Sequence, residues 1–339
     1  MPPTRVALVE RVALALHRLG VAPAPFPGPF FDAYLAPMAA RAITVAGTSG
    51  VFDALPDTTE GVAQRTGLST QGAEVLLPAL ETLGYVRFRR GRWSLTRQAR
   101  RWVGPAGAMP VFSGAFAASA WDLMSDLEAH LRGAAPAALH DRPPGDPWWA
   151  SYEPAMAEIG RVNGDRVAKL IPAERPRRLL DLAGGPGLYA AAMVRRHPGL
   201  EATVVELEAA ARHAETHPGV RYLEGDLFEV DPGSGYDVVT AHSILHNLSE
   251  ERCVALLRRA RGALRDGGTF AALETEQPEP GHPRSMIAAL GSLTFHAAFG
   301  TRSKTGAELE EMLRTAGFSD VRLLRPLDLN GSVLAVGTR

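Results

Sequence analysis

Two periodicities divide the chain. Before residue 178 apolar positions recur at the three-to-four spacing of helices; beyond it, short apolar runs of strand length alternate with helical stretches. Residues 6–19 read as an amphipathic helix, broken by Glu10, Arg11, His17 and Arg18. Residues 37–54 carry helical spacing interrupted near Gly47 and Gly50. Thr58 and Thr59 with Glu60 start a short helix that Gly67 stops. Ser69 caps a longer one through Leu83, with Val75, Leu76, Ala79, Leu80 and Leu83 on one face and Gly84 as its stop. Residues 85–89 and 92–95 are β-type runs around Arg90-Gly91, a hairpin. Helix, helix and hairpin in that order describe a winged-helix unit. Residues 121–131 are helical, 133–147 form a proline-rich loop, and 148–171 a long helix with Pro154 near its start or at a kink.

The strand-length runs lie at 179–182, 202–206, 221–224, 236–240 and 269–274. Alternation with helices makes them a βαβ series, hence a Rossmann-like parallel sheet covered on both faces. Residues 321–325 and 332–337, joined through Asn330-Gly331, add a terminal antiparallel pair. At 339 residues the chain is long enough for more than one core. Three regions are expected: 1–105, a helical winged-helix unit; 106–175, connecting helices; and 176–339, the α/β domain.

Charge trims the possible functions. Lys+Arg 36 against Asp+Glu 37 leaves a net −1, which argues against a dedicated nucleic-acid binder. Seven arginines at 87, 89, 90, 92, 97, 100 and 101 decorate the hairpin region. Yet the helix that would enter a major groove has no Lys or Arg and carries Glu74 and Glu81. No nucleic-acid partner is expected. The single Cys253 excludes an intramolecular disulfide and a zinc–thiolate cluster, and reads as a small buried residue on a helix. No apolar run is long enough to span a membrane, so the expected compartment is the cytoplasm.

The chemistry concentrates after the first strand. In Leu180-Asp181-Leu182-Ala183-Gly184-Gly185-Pro186-Gly187-Leu188 a buried strand runs into a glycine turn and then a helix. Glycines suit a turn whose backbone a ligand must approach closely. The loop alone also fits a dinucleotide fingerprint. Glu206, 19 positions after Gly187, ends the second strand, where a carboxylate accepts from both ribose hydroxyls of an adenosine ligand. Asp226, after the third strand, can accept from an adenine amino group, with Leu227 against the base. Asp181 suits a cationic amino acid moiety better than a pyrophosphate. The series favours S-adenosylmethionine over a nicotinamide cofactor.

These motifs, together with Ile244-Leu245-His246-Asn247-Leu248-Ser249-Glu250-Glu251, resemble those of the S-adenosylmethionine-dependent O-methyltransferases, the bacterial relatives of the plant caffeate-type enzymes. The likeness spans nearly the whole chain. It implies a class I methyltransferase domain, a small-molecule acceptor, and a homodimer interlocked through N-terminal helices, which gives the winged helix a use other than DNA. It places the catalytic base at His246, its orienting carboxylate at Glu274, and a polar side chain near the methionine portion at His242. Three positions depart from the family pattern. Asn247 replaces an acid, Leu248 a tryptophan, and Ser303 a second orienting carboxylate.

A neutral phenol is a poor nucleophile, so a base that takes its proton as the methyl transfers is worth about 10²–10⁴ in rate. The plainer role for His246 is to cap the helix that follows. Trp121, Met156, Asn163, Phe295 and His296 are the acceptor-binding candidates; a polar residue such as Asn163 on a packed helix needs a partner. His242, His296 and Glu274 could be imagined around a metal, but their spacing matches no ligand pattern and none is expected. Two other readings stay open. One is methylation at carbon or nitrogen, or a non-methylating use of the same cofactor. The other is a ligand-sensing DNA-binding regulator.

Overall fold

The computed structural model describes residues 30–279, 285–326, 329 and 331–339. The helix expected over 6–19 and Asn330 of the terminal turn lie outside these. The chain divides into two compact units, Met1–Ala118 and Ser119–Arg339. The long helix at 149–170 falls in the same unit as the sheet.

In the first unit, α1 (Ala36–Thr48), α2 (Thr59–Thr66) and α3 (Thr70–Thr82) precede a two-stranded hairpin of β1 (Val86–Arg89) and β2 (Arg92–Leu95), followed by α4 (Arg97–Trp102). Capping sets the boundaries. Thr58 and Ser69 accept from Gly61 and Gly72 amides, and Gly67 closes α2 in a left-handed conformation. Helix α1 is shorter than the apolar pattern, because Gly50 turns the chain at φ 78° and carries the next residues out of the helix. Val51, Phe52, Leu77, Leu80, Val86 and Trp93 form the core of this unit. Arg92 of the basic run donates to the Pro56 carbonyl at 2.9 Å and sits 3.6 Å from Asp57, which also pairs with Arg65.

The second unit begins with α5 (Ala117–Ser125, its first two residues from the preceding unit) and α6 (Leu127–Leu131); α7 (Trp149–Leu170) leads into the sheet. The stretch expected as one helix over 121–131 breaks at Asp126. Pro154 lies inside α7, in its second turn. Strands β3 (Arg178–Leu182), β4 (Glu201–Glu206), β5 (Val220–Glu224), β6 (Tyr236–Thr240) and β7 (Leu264–Thr275) are parallel. They alternate with α8 (Leu188–Arg196), α9 (Glu208–Ala211) and α10 (Glu250–Ala263). After α11 (Met286–Phe299) and α12 (Gly306–Thr315), β8 (Ser319–Leu324) and β9 (Ser332–Thr338) join antiparallel, β9 lying against β7. The order is β5-β4-β3-β6-β7-β9-β8.

Helices cover both sheet faces, so the strands are apolar on both. Leu180, Leu182, Val205 and Val239 pack with α10 and α12, whereas Leu179, Val204 and Val238 pack with α7 and α8. The direction of travel reverses between β3 and β6, which leaves a crevice at their carboxyl ends where ligands bind in such sheets.

Candidate active site

The strand register brings the first polar pair to that crevice. Asp181 of β3 lies opposite Thr240 of β6, and the Thr240 hydroxyl donates to Asp181 Oδ1 at 2.7 Å. The other oxygen, Oδ2, is buried with no partner. Burial raises this carboxyl to about 6, against the lowering effect of the Thr240 bond. An unpaired buried acceptor at a strand end is what a ligand cation or N–H would satisfy.

The glycine turn has a different internal logic from the one expected. A Cβ on Gly184 would lie 2.6 Å from Asp181 Oδ2 and 2.8 Å from Val204, and one on Gly187, at φ 76°, would meet the Tyr222 hydroxyl at 2.5 Å. Those two glycines make room for the protein's own side chains. At Gly185, φ 51°, a Cβ would touch only Glu153 Oε2, at 3.6 Å. The Gly185 backbone is held on both sides: the amide donates to Glu206 Oε2 at 2.7 Å, and the Tyr222 hydroxyl donates to the carbonyl at 3.0 Å.

Glu206 ends β4 as the sequence places it. Its other oxygen accepts from the Leu207 amide at 2.8 Å, and burial raises its carboxyl to about 7 even against those two bonds. Asp226 lies beyond β5 in a tight turn in which Oδ1 accepts from the Phe228 amide at 2.7 Å. Leu227 and Phe228 pack partly against the core, and the Arg252 guanidinium lies over the Phe228 ring at 4.4 Å. Each acid therefore uses some of its accepting capacity on the backbone that positions it and keeps the rest.

The second group forms around His246, which follows β6 in a short helical turn, Leu245–Asn247. Its Nδ1 lies 2.7 Å from Glu274 Oε2, and both side chains are buried. Glu274 Oε1 accepts from the Ile244 and Leu245 amides at 2.9 and 2.8 Å, so this oxygen pair is acceptor-only. The proton of a neutral His246 therefore sits on Nδ1, and Nε2 presents a lone pair. The ring stacks on Phe295 with centroids 3.8 Å apart, and the Thr301 hydroxyl donates to the His246 carbonyl. Capping of α10 falls instead to Ser249, which accepts from Arg252.

His242 takes the opposite tautomer. Its Nδ1 accepts from the Leu273 amide at 2.9 Å, which leaves the hydrogen on Nε2, and burial lowers the ring to about 3. It stays neutral and packs against Tyr189, centroids 4.9 Å apart. Asn163, read as an acceptor-binding residue, hydrogen-bonds the Tyr189 side chain and so belongs to the wall behind the glycine turn. His296 spends Nε2 on the His130 carbonyl at 3.2 Å. Trp121 and Met156 are half-buried on α5 and α7. The buried Ser303 hydroxyl has no hydrogen-bond partner among the described residues, and its amide donates to the Ser292 hydroxyl. Among the described residues no cluster of three or more His, Cys, Asp or Glu could hold a metal ion.

Two side chains were not legible as site residues. His140, in the proline-rich loop, sits between Trp149 and Phe299, with Nε2 3.1 Å from the Tyr152 hydroxyl. Burial first and the charge on His246 second lower it to about 4, so the His140 imidazole is neutral near pH 7. Glu153 is the other. Its face of α7 also carries Trp149, Ala157, Gly160 and Gly164, all buried, and a carboxylate in that company was the available signal. A Cβ on Gly160 would lie 2.5 Å from that of Leu188; this close helix contact carries Glu153 to the glycine turn.

Residues 139–319 match the family described as the O-methyltransferase domain. The chain is 30% identical over 320 residues to the acetylserotonin O-methyltransferase of Mus musculus, covering 81% of this chain and 79% of that one. It is 29% identical over 316 residues to the 3-hydroxy-5-methyl-1-naphthoate 3-O-methyltransferase of Streptomyces sahachiroi, covering 84% and 87%. The fold is similar to that of human N-acetylserotonin methyltransferase solved with S-adenosylmethionine, at a TM-score of 0.82 and 20% identity over 94% of this chain and 99% of that one.

Proposed function

Because the chain belongs to the O-methyltransferase family, we propose that it methylates a hydroxyl of a small aromatic specialised metabolite, with His246 as base and Glu274 as its positioning partner. The methyl donor is S-adenosylmethionine, which when bound supplies a methyl group made electrophilic by its sulfonium. The donor set of the crevice fits this molecule. Glu206 has accepting capacity for the ribose, Asp226 for the adenine edge and the free Asp181 Oδ2 for the ammonium, while Leu227 offers the adenine face an apolar surface. The glycine turn, with Gly184, Gly185 and Gly187, carries the backbone between them, and His242 offers its Nε2 hydrogen from the β6 side.

The observation that carries the reading is the buried 2.7 Å pairing of His246 Nδ1 with Glu274. The carboxylate fixes the tautomer whose Nε2 can accept a hydroxyl proton, and it stabilises the imidazolium that results. Phe295 holds the ring plane by stacking and offers an aromatic acceptor an apolar neighbour. With Ser303 at the second carboxylate position, Glu274 is the one carboxylate among the described residues bonded to the ring. Trp121, Met156 and the neutral His140 complete our choice of acceptor-facing residues.

The test is His246→Ala with methyl-labelled S-adenosylmethionine and a panel of hydroxyaromatics that includes N-acetylserotonin and hydroxynaphthoates. Turnover is expected to fall by about 10²–10⁴ while cofactor affinity stays near wild type. A variant as fast as wild type removes His246 as base, and label recovered on carbon or nitrogen replaces O-methylation.

For assembly we propose a homodimer. The apolar side chains Tyr34, Leu35 and Met38 are more than a third exposed on the first described helical stretch. No helix of the described residues is long and apolar enough to cross a membrane, and the one cysteine is a buried free thiol; we read the compartment as the cytoplasm.

A further inference from the structure

Buried carboxyls are costly unless something pairs with them, so each one the mechanism does not use calls for a partner. Glu153 is 2% exposed and its Oε2 has no hydrogen-bond partner. One helical turn earlier, on the same side of α7, Trp149 buries an indole N–H that also lacks an acceptor. Glu153 Oε2 lies 3.6 Å from where a Cβ on Gly185 would stand, and Glu206 acts electrostatically on the acid across that turn. A purely structural acid would have found a backbone amide or a cation in the packed interior. This one is aimed into the crevice that holds the methyl donor.

We propose that Glu153 is a fourth cofactor-binding carboxyl, which holds a proton in the free protein and releases it when cationic S-adenosylmethionine binds. This rests on the cofactor reading given above. The surroundings set the direction of the effect. Glu206 faces Glu153 from the end of β4, Tyr152 adjoins it on α7, and Tyr222 reaches it from β5, its own hydroxyl made harder to ionise by burial and by Asp181, Glu206, Glu153 and Glu215. Asp181 adds negative charge on the Glu206 side, and Arg161 on α7 is spent on Glu215. Burial first and Glu206 second raise Glu153 to about 8; burial raises Glu206 to about 7. Near neutral pH the pair therefore retains protons that a bound cation displaces, since an opposite charge favours the ionised acid.

Binding of the cation then strengthens as pH rises, by at most about tenfold per unit for each proton released. Titration calorimetry of the full chain with S-adenosylmethionine, in buffers of different ionisation enthalpy, reads proton release directly. Wild-type protein is expected to release between half and one proton near pH 6.5 and to bind about tenfold more tightly at pH 7.5 than at pH 6.0. Glu153→Gln keeps the shape of the protonated acid, so it should fold as wild type does. It is expected to cut the proton release by half or more and to flatten the pH dependence. Binding without proton release by wild type, or release unchanged in Glu153→Gln, overturns the proposal and leaves the cofactor assignment standing. Failure of wild type to bind S-adenosylmethionine at any pH overturns the assignment itself.

Discussion

Replacing Glu274 by glutamine changes one atom and tests the whole logic of the His246 pair. Glu274 Oε1 accepts from two buried amides, Ile244 at 2.9 Å and Leu245 at 2.8 Å, and Oε2 accepts from His246 Nδ1 at 2.7 Å. A glutamine at 274 has one acceptor and one donor end. Turning the donor toward the two amides would leave both N–H groups unsatisfied, at about 1–3 kcal/mol each. The amide nitrogen therefore faces His246. Nδ1 must then accept, the ring proton moves to Nε2, and the lone pair that would take a hydroxyl proton is lost. Recovering the active tautomer costs about 2–6 kcal/mol on this count, or about 30-fold to 10⁴-fold in rate at 1.36 kcal/mol per decade.

The assay is kcat for label transfer alongside the Kd of S-adenosylmethionine, with nitrogen NMR shifts of His246 reporting the tautomer. We expect a large fall in kcat, an unchanged Kd and the Nε2–H tautomer. A loss below about fivefold with the tautomer unmoved would refute the reasoning, because Glu274 would then not set the protonation of the ring.

Three further outcomes are expected. Asp226→Ala should weaken S-adenosylmethionine binding by about 5- to 100-fold in calorimetry, the worth of one hydrogen bond to a buried partner; unchanged affinity counts against the adenine assignment. Gly184→Ala places a methyl 2.6 Å from Asp181 Oδ2 and should lower the urea-denaturation free energy by about 1–3 kcal/mol, whereas an unshifted midpoint would mean the turn can yield. Glu308, paired with Arg302 and part of a capping box with Thr305, has its carboxyl lowered to about 2, first by the Arg302 hydrogen bonds. A depressed acid contributes its stability above its ordinary value, so Glu308→Gln should destabilise at pH 7, with the gap to wild type closing as pH falls from about 4.5 toward 2. A gap that stays constant with pH would assign the effect to packing.

Much of the scaffold was readable because its signals are local. Strand runs ended within a few residues of the observed β3 to β7 because β-length apolar segments between helices have few alternatives once both faces are covered. Ser69 marks a helix start by a hydroxyl that reaches the amide three residues on, and Gly67 marks a helix stop at positive φ. The acids Asp181, Glu206 and Asp226 follow from position, since each falls at or just past the carboxyl end of a parallel strand. The interruption expected near Gly47 and Gly50 is where α1 ends, whereas 121–131 splits at Asp126, where local backbone geometry overrides apolar spacing.

Tertiary structure decided which groups share an environment. His246 and Glu274 lie 28 residues apart and meet because β6 and β7 are neighbours; the family likeness suggested the pairing, but the 2.7 Å contact and its tautomer come from the sheet. Glycine content pointed to a ligand, yet Gly184 and Gly187 answer to Asp181, Val204 and Tyr222, because a missing Cβ is silent about which neighbour needs the space. His242 and His246 look alike as letters four apart, and opposite hydrogen-bond partners make one a donor and the other an acceptor. Glu153 belongs to no motif in the sequence; only the packing of α7 on α8 buries it beside the turn. Sequence states each residue's chemistry and its local conformation, while burial and partnership depend on contacts between distant segments, and those set charge state and role.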